Sequence, residues 1–504
     1  MRVCLEQPFP GDAFVVRRLA WLFPISVVLW AAALTLGHTW GGDMRLHVAT
    51  VLGILRDPAD PLDPLVGAVH GSPYYSPYTY LLAGVSRLTG LAPQAVLEVA
   101  GVLNVALWLW ALHRFCRRLG PGPLIPALAL LFTLLLWGLA PRAWSGFLGL
   151  FSLSWTMAYP SMIASALMLV IWDLFLGHRA DPRGRARPAA LAVLLALVVL
   201  VHPFTAVNTV LGLGAFALAD PRAALRDHRL YLAGAGALGL ALLWPFGDVT
   251  GLFGAAEALT EIHRPLADDL TRQFGLAHYG LALVGLPALW ARRKRPLGRE
   301  MLLLCGLGAA VVATGVVVHS WGLARVIPVV MLPLHLSPAA WFAEAARGAP
   351  RVRFYAGATA AACLTGLYGG NGGLTRLLWR PVEAGTLATW ESRDPAVGYA
   401  PLAGRIGSGE VVATETTWSG RVVNAHGGLS LVPAWPYPFV RDEPERIRAV
   451  ETLFAAGTPA ADRQEVVDRY GISCLLAGRG SPALGLRAFV PVATAGEVVL
   501  ACRR

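Results

Sequence analysis

The feature that most constrains this chain is a repeated alternation of long apolar runs with short basic clusters. A helix that crosses the hydrocarbon core of a bilayer needs about 20 consecutive, mostly apolar residues. Eleven stretches approach that length: 19–37, 96–113, 123–140, 159–177, 188–202, 204–219, 230–246, 278–291, 300–318, 326–343 and 355–369. The first reads as a retained helix. Leu19 to Leu36 is longer than the apolar region of a secretory leader and lacks a small-residue cleavage site. Composition agrees, since 56% of the 504 residues are hydrophobic and 14% are charged. A soluble globular chain carries nearer a quarter charged residues.

The net charge of +11 invites a nucleic-acid partner, but the placement of the charges rejects one. The basic residues fall between apolar runs: Arg17-Arg18, Arg114 with Arg117-Arg118, Arg179 to Arg187, Arg222 to Arg229, Arg292 to Arg295, and Arg347 to Arg353. Cytoplasmic loops of membrane proteins have this character. A basic stripe with interleaved aromatics, on which a nucleic acid lies, does not occur.

Parity then fixes the orientation. Arg179 to Arg187 and Arg222 to Arg229 both belong inside, so an even number of crossings separates them. The 188–219 stretch is therefore expected to be a hairpin with its tip near His202-Pro203, where proline removes a backbone donor. The outer side then receives segments 38–95, 141–158, 247–277 and 319–325, with everything after about residue 370. The expected fold is a polytopic α-helical membrane protein with about eleven transmembrane helices, residues 1–370, carrying a long first outer loop over 38–95. Residues 371–504 are expected to form a small extracytoplasmic α/β domain. In it, 410–417, 473–477 and 497–502 read as strands, and 444–454 and 461–470 as helices. Six cysteines are scattered without a Cys-x-x-Cys pair, so neither a zinc site nor a redox motif is indicated. Cys474 and Cys502 are candidates for one disulfide.

The residues with chemical potential collect on the outer side. Asp43 lies just past the first helix, in Gly41-Gly-Asp-Met-Arg-Leu-His47. In a helix, Asp43 and His47 would share a face. A carboxylate there can take a proton from an attacking hydroxyl, or it can cap a short interfacial helix. Tyr74, Tyr75 and Tyr78 form an aromatic group that suits an interfacial belt, a substrate pocket, or both. Arg325 is an isolated arginine at the outer end of the 326–343 stretch, against the charge bias, and its guanidinium suits a phosphate as well as a snorkelling position. His202, between apolar runs, is either a functional group or bonded to a loosened backbone carbonyl beside Pro203. Glu257, Glu261, Asp268 and Asp269 are the candidates for a divalent cation, but they lack a ligand spacing and read as a solvated helical face.

Together these residues resemble the GT-C superfamily of membrane glycosyltransferases. The resemblance rests on the first outer loop opening with Asp43, the Ser72 to Tyr80 segment, His202-Pro-Phe-Thr, the late outer Arg325, and a C-terminal outer domain. The chain looks most like bacterial polyprenyl-phosphate-sugar-dependent enzymes of the mannosyl- and arabinosyltransferase kind. The resemblance implies a plasma-membrane enzyme that moves a sugar from a polyprenyl-phosphate donor to a hydroxyl acceptor (glycan, lipid or protein). It implies Asp43 as general base and Arg325, with His202, at the donor phosphate. His47, Tyr74, Tyr75 and Tyr78 would line the substrate pocket. Many members carry an Asp-x-Asp or Glu-x-Asp pair where this chain has Gly41-Gly-Asp43, a departure that bears on any metal. Two rivals stand beside this reading. One is a transporter or flippase, favoured by the His202-Pro203 break; the other is a scaffold whose segment Val432 to Phe439 docks a partner.

Overall fold

The computed structural model describes residues 10–36, 43–68, 71–247, 251, 260–345, 350–375, 377, 402, 404–435 and 437–503. The chain is a mostly helical membrane protein with a small C-terminal sheet, and each of the eleven apolar stretches carries helix. Among the described residues four helices are long and apolar enough to cross a membrane: Pro93–Cys116, Pro160–Ala180, Gly298–Val317 and Trp321–Glu344. Arg264–Thr271 and Leu276–Ala291, bent by 100°, form a broken span or a re-entrant loop. Shorter apolar helices are Ala20–Thr35, Leu124–Leu135, Ala186–Val201 and Pro203–Ala219.

By packing, the chain forms two compact units. One holds Met1–Thr39, Glu98–Leu243 and Thr260–Leu378; the other holds Trp40–Leu97, Trp244–Leu259 and Trp379–Arg504. Within the second unit the first outer loop packs with the C-terminal residues.

In the helical unit the core is built around large aromatic side chains. Trp172 is fully buried, meets Phe115 and Phe216, and donates its indole N–H to the Thr209 carbonyl at 3.0 Å. Gly212 makes room for it, since a Cβ there would lie 2.2 Å from the Trp172 ring. The basic clusters gather at one end of this unit. Arg114 and Arg118 both reach the buried carboxylate of Asp173 at 2.6 Å. Arg187 donates to the Gly177 carbonyl, Arg179 to the Phe216 carbonyl and Arg292 to the Leu119 carbonyl. Their guanidinium groups reach carbonyls at or just past helix C-termini, where the dipole is negative. The 179–187 and 222–229 clusters are joined directly. Arg229 donates to the Pro182 carbonyl, Arg179 pairs with Asp220, and His178 meets Asp227 at 2.7 Å. Ala186–Val201 and Pro203–Ala219 are separate helices broken at His202, so the basic ends of the two meet.

The second unit contains a five-stranded sheet in the order β2-β1-β3-β5-β4. Its strands are β1 (Val411–Thr414), β2 (Leu429–Ser430), β3 (Cys474–Gly478), β4 (Phe489–Ala495) and β5 (Val498–Arg503). β1 runs parallel to β2 and β3, whereas β5 is antiparallel to β3 and β4. Helices Thr417–Ala425, Glu443–Phe454 and Ala460–Arg469 complete the α/β arrangement. Cys474 and Cys502 face each other across β3 and β5 and form a disulfide. The first outer loop supplies helices Met44–Arg56 and Pro77–Thr89. Leu46, Ala49, Leu65 and Val66 share one apolar cluster with Ala434, Trp435, Tyr437 and Val440. Trp435 and Tyr437, from the segment considered for docking a partner, are buried in this cluster.

Candidate active site

The expected site residues divide between the two units. Asp43, His47, Tyr74, Tyr75 and Tyr78 lie in the sheet-containing unit, and His202 and Arg325 lie in the helical unit.

Asp43 stands at the N-terminal junction of the Met44–Arg56 helix, but its side chain makes no capping bond. Its Oδ1 instead accepts from the indole Nε1 of Trp435 at 3.1 Å. The amide of His47 donates to the Asp43 carbonyl, which sets the two residues one helical turn apart. His47 is buried, and burial depresses its pKa to about 4, so its ring is neutral at ordinary pH. Arg45, between them, is also buried and lies over the Trp418 ring at 5.2 Å.

The tyrosines form the floor beneath this helix. Tyr74 stacks on Tyr437 at 6.0 Å. Burial, then the charges of Asp43 and Asp63, push its pKa up, so it remains a hydroxyl. Tyr75 is buried and donates to the Leu62 carbonyl, while its own carbonyl accepts from the Trp244 indole at 2.7 Å. A Cβ on Gly53 would lie 2.4 Å from the Tyr75 hydroxyl oxygen, so helix and ring are closely fitted. Tyr75 is thus held through both its hydroxyl and its backbone. Tyr78 is buried on the Pro77–Thr89 helix, whose Ser76 and Thr79 form a reciprocal capping box. Asp63 holds the loop between these helices through the amides of Leu65 and Val66, each at 2.9 Å. Its own burial raises its pKa, against hydrogen bonds from Tyr437 and these amides.

In the helical unit, Arg325 closes the 3-10 turn Trp321–Val326 ahead of the Ile327–Glu344 helix and is 5% exposed. Its guanidinium lies 4.8 Å from the Phe204 ring centroid and 5.9 Å from that of Trp144. Its carbonyl accepts from Asn208 at 3.2 Å. His263 packs edge-on against Phe204 at 4.8 Å and beside Trp144. His202 Nδ1 accepts from the Thr205 amide at 3.2 Å and caps the helix that Pro203 begins. With Nδ1 accepting, the ring proton sits on Nε2, 3.3 Å from the Ser145 hydroxyl. His202 therefore acts as a helix cap. Phe204, which follows it by two residues, connects it to Arg325. This cluster sits at the helix ends opposite the basic ones. The Pro160–Ala180 and Pro203–Ala219 helices carry Arg179 and the Phe216 carbonyl at their other termini.

Of the acidic residues expected on a solvated face, Glu261 is exposed and Asp269 is not. Asp269 is buried, not solvated, and takes a two-pronged ion pair from Arg142 at 2.6 and 2.7 Å. That pairing raises the Arg142 pKa. Glu261 bonds Arg264 and the Trp321 indole, each at 3.2 Å. Glu257 lies outside the described residues. Among the described residues no three His, Cys, Asp or Glu side chains group as metal ligands. The reading of single residues missed Trp435, Arg421, Phe204, Trp144 and His263. Their partners are tens to hundreds of positions away in sequence, with only the aromatic character of the outer segments as a signal.

No family model and no curated protein matches the chain. Solved structures do. ArnT from Cupriavidus metallidurans bound to undecaprenyl phosphate superposes with a TM-score of 0.58 at 14% identity, over 95% of this chain and 97% of that one. The same protein in the apo state gives 0.53 at 13% identity, over 95% and 96%. The arabinofuranosyltransferase AftD from Mycobacteria gives 0.57 at 16% identity, over 97% of this chain and 40% of its own length. At such identities the likeness is one of fold. The chain shares the fold of these structures, in keeping with the fold that the resemblance in sequence implied.

Proposed function

We propose that the protein is an integral membrane glycosyltransferase that moves a sugar from a polyprenyl-phosphate donor to a hydroxyl acceptor, with inversion at the anomeric carbon. The observation that carries this reading is the fold correspondence along 95% of the chain with an ArnT that binds undecaprenyl phosphate. The chemistry takes place on the non-cytoplasmic side of the plasma membrane. The Cys474–Cys502 disulfide supports an oxidising compartment for the sheet-containing unit. The grouped arginines at the other end of the helices support a cytoplasmic end there.

In this reading Asp43 deprotonates the acceptor hydroxyl as it attacks the anomeric carbon. The sugar–phosphate bond breaks, and the electron pair leaves with the polyprenyl phosphate. A phosphate leaving group needs cationic stabilisation more than a proton. Arg325 supplies it: its planar fork matches two phosphate oxygens, and the flanking Phe204 and Trp144 rings hold the guanidinium plane. The Nε2–H of His202 is the second donor to the phosphate. His47, Tyr74 and Tyr78 flank the acceptor as neutral groups. The transporter alternative drew on the His202-Pro203 break, which is a capped turn between two helices with intact termini.

The reading is tested with purified protein in nanodiscs, a panel of polyprenyl-phosphate sugars and candidate acceptors, and mass spectrometry. It expects release of polyprenyl phosphate coupled to a glycosylated product, with NMR showing the inverted anomer. Uptake of an unchanged substrate into vesicles, with neither release nor product, would favour transport instead.

A further inference from the structure

On the reading of Asp43 as the base, we propose that Trp435 is its positioning residue, held in place by a closed circuit of Arg421, Trp418 and Arg45. An aspartate at the start of a helix ordinarily spends its side chain on a backbone amide two or three residues ahead. Asp43 makes no such bond and turns to the Trp435 indole at 3.1 Å. The indole N–H is a donor and never an acceptor, so it takes no part in proton transfer. It fixes the direction of Oδ1 and favours the charged carboxylate.

What holds the indole is as specific as the bond it makes. The Arg421 guanidinium lies 5.1 Å from the Trp435 ring centroid and 5.0 Å from that of Trp418. Its Nε also donates to the carbonyl of Ala434, the residue before Trp435, at 3.0 Å. Trp418 and Arg421 are three residues apart on the Thr417–Ala425 helix, so they share a face. Arg45 closes the circuit, 5.2 Å from the Trp418 ring and two residues along from Asp43 on its own helix. Cation–π contacts of this kind gain strength when desolvated, and Arg45 and Trp435 are both buried. From Asp43 the path runs through Trp435, Arg421, Trp418 and Arg45 back to the same helical turn. Displacing any member loosens the carboxylate.

The ionisable groups around this circuit set the sign of its pH behaviour. From the Met44–Arg56 helix come Arg45 and His47, the latter neutral above about 4. From the Thr417–Ala425 helix and its cap come Arg421 and His426, whose pKa is lowered by burial and by Arg45. Tyr74 faces Asp43 as an uncharged hydroxyl. Loss of a hydrogen bond to the carboxylate form makes Asp43 easier to protonate. A protonated base is inactive, so activity then fails at a higher pH on the acid side.

The test is Trp435→Phe in the full-length protein in nanodiscs. Phenylalanine keeps an aromatic ring for Arg421 and removes the N–H together with the pyrrole half of the indole. Turnover should fall by about tenfold, with the donor KM unchanged and the acid limb of the pH–rate profile moved to higher pH. Arg421→Met, which keeps the indole and loosens it, should move the limb in the same direction. Wild-type turnover and an unmoved limb in Trp435→Phe would overturn the proposal. If that variant lost donor binding through misfolding, an unmoved limb in Arg421→Met would overturn it instead. Asp43→Asn is run alongside. Activity in Asp43→Asn defeats the base reading itself, whereas an inactive Asp43→Asn beside a wild-type Trp435→Phe defeats only the positioning role.

Discussion

Buried charge at single residues is handled in two ways, and both bear on function. Asp269 is neutralised by Arg142 and is thereby a structural group. Arg325 lies over the Phe204 and Trp144 rings, and a lysine's point charge does not reproduce the planar fork of its guanidinium. Arg325→Lys should therefore raise the donor KM by about tenfold or more while leaving the fold intact, as steady-state kinetics with varied donor would read. His47 gives a pH prediction. Its folded pKa, about 4, is depressed below that of the unfolded chain, so the unfolded state binds the extra proton first. The stability it contributes is complete above the unfolded value of about 6.5 and is lost as pH falls from there towards 4. The loss is on the order of 3 kcal/mol, and His47→Gln should flatten that arm of a melting-temperature profile. The position of Asp43 at the start of a helix was legible at this scale from its type and its place after the first apolar run. Its partner Trp435 was not, because the bond joins residues 392 positions apart. Nor was the burial of Asp269, since its Arg142 partner is 127 positions away.

Elements were legible where one local signal dominated. Apolar length marked the helices, and proline at 203 marked the break that His202 caps. In the sheet-containing unit, strands β1, β3 and β5 and the helices Glu443–Phe454 and Ala460–Arg469 follow their expected positions to within a few residues. Two elements were missed for identifiable reasons. β4 contains Pro491, which argues against a strand; it is tolerated because β4 is an edge strand with an irregularity at that point. The Thr417–Ala425 helix begins in a run of threonines that reads as strand, yet Thr416 accepts from the Ser419 amide and turns the chain into helix. The disulfide ties β3 to β5 across 28 residues of sequence. Replacing Cys474 and Cys502 together by serine should cost about 3 kcal/mol, read as a lower melting temperature of that unit.

For the whole molecule, the grouping of the basic clusters was more legible than the packing. Charge bias acts loop by loop, and the 179–187 and 222–229 clusters meet at one end of the helices. The association of the first outer loop with the C-terminal residues was hidden, since it depends on apolar and aromatic contacts between distant segments. That association puts the proposed base under the control of the C-terminal part through Trp435. The most direct test of the central claim is a comparison of wild-type protein and Asp43→Asn in nanodiscs with a donor the wild type accepts, measuring bound donor and released polyprenyl phosphate together. The account predicts undiminished donor binding and turnover reduced below detection in the variant. Wild-type release from Asp43→Asn would contradict it.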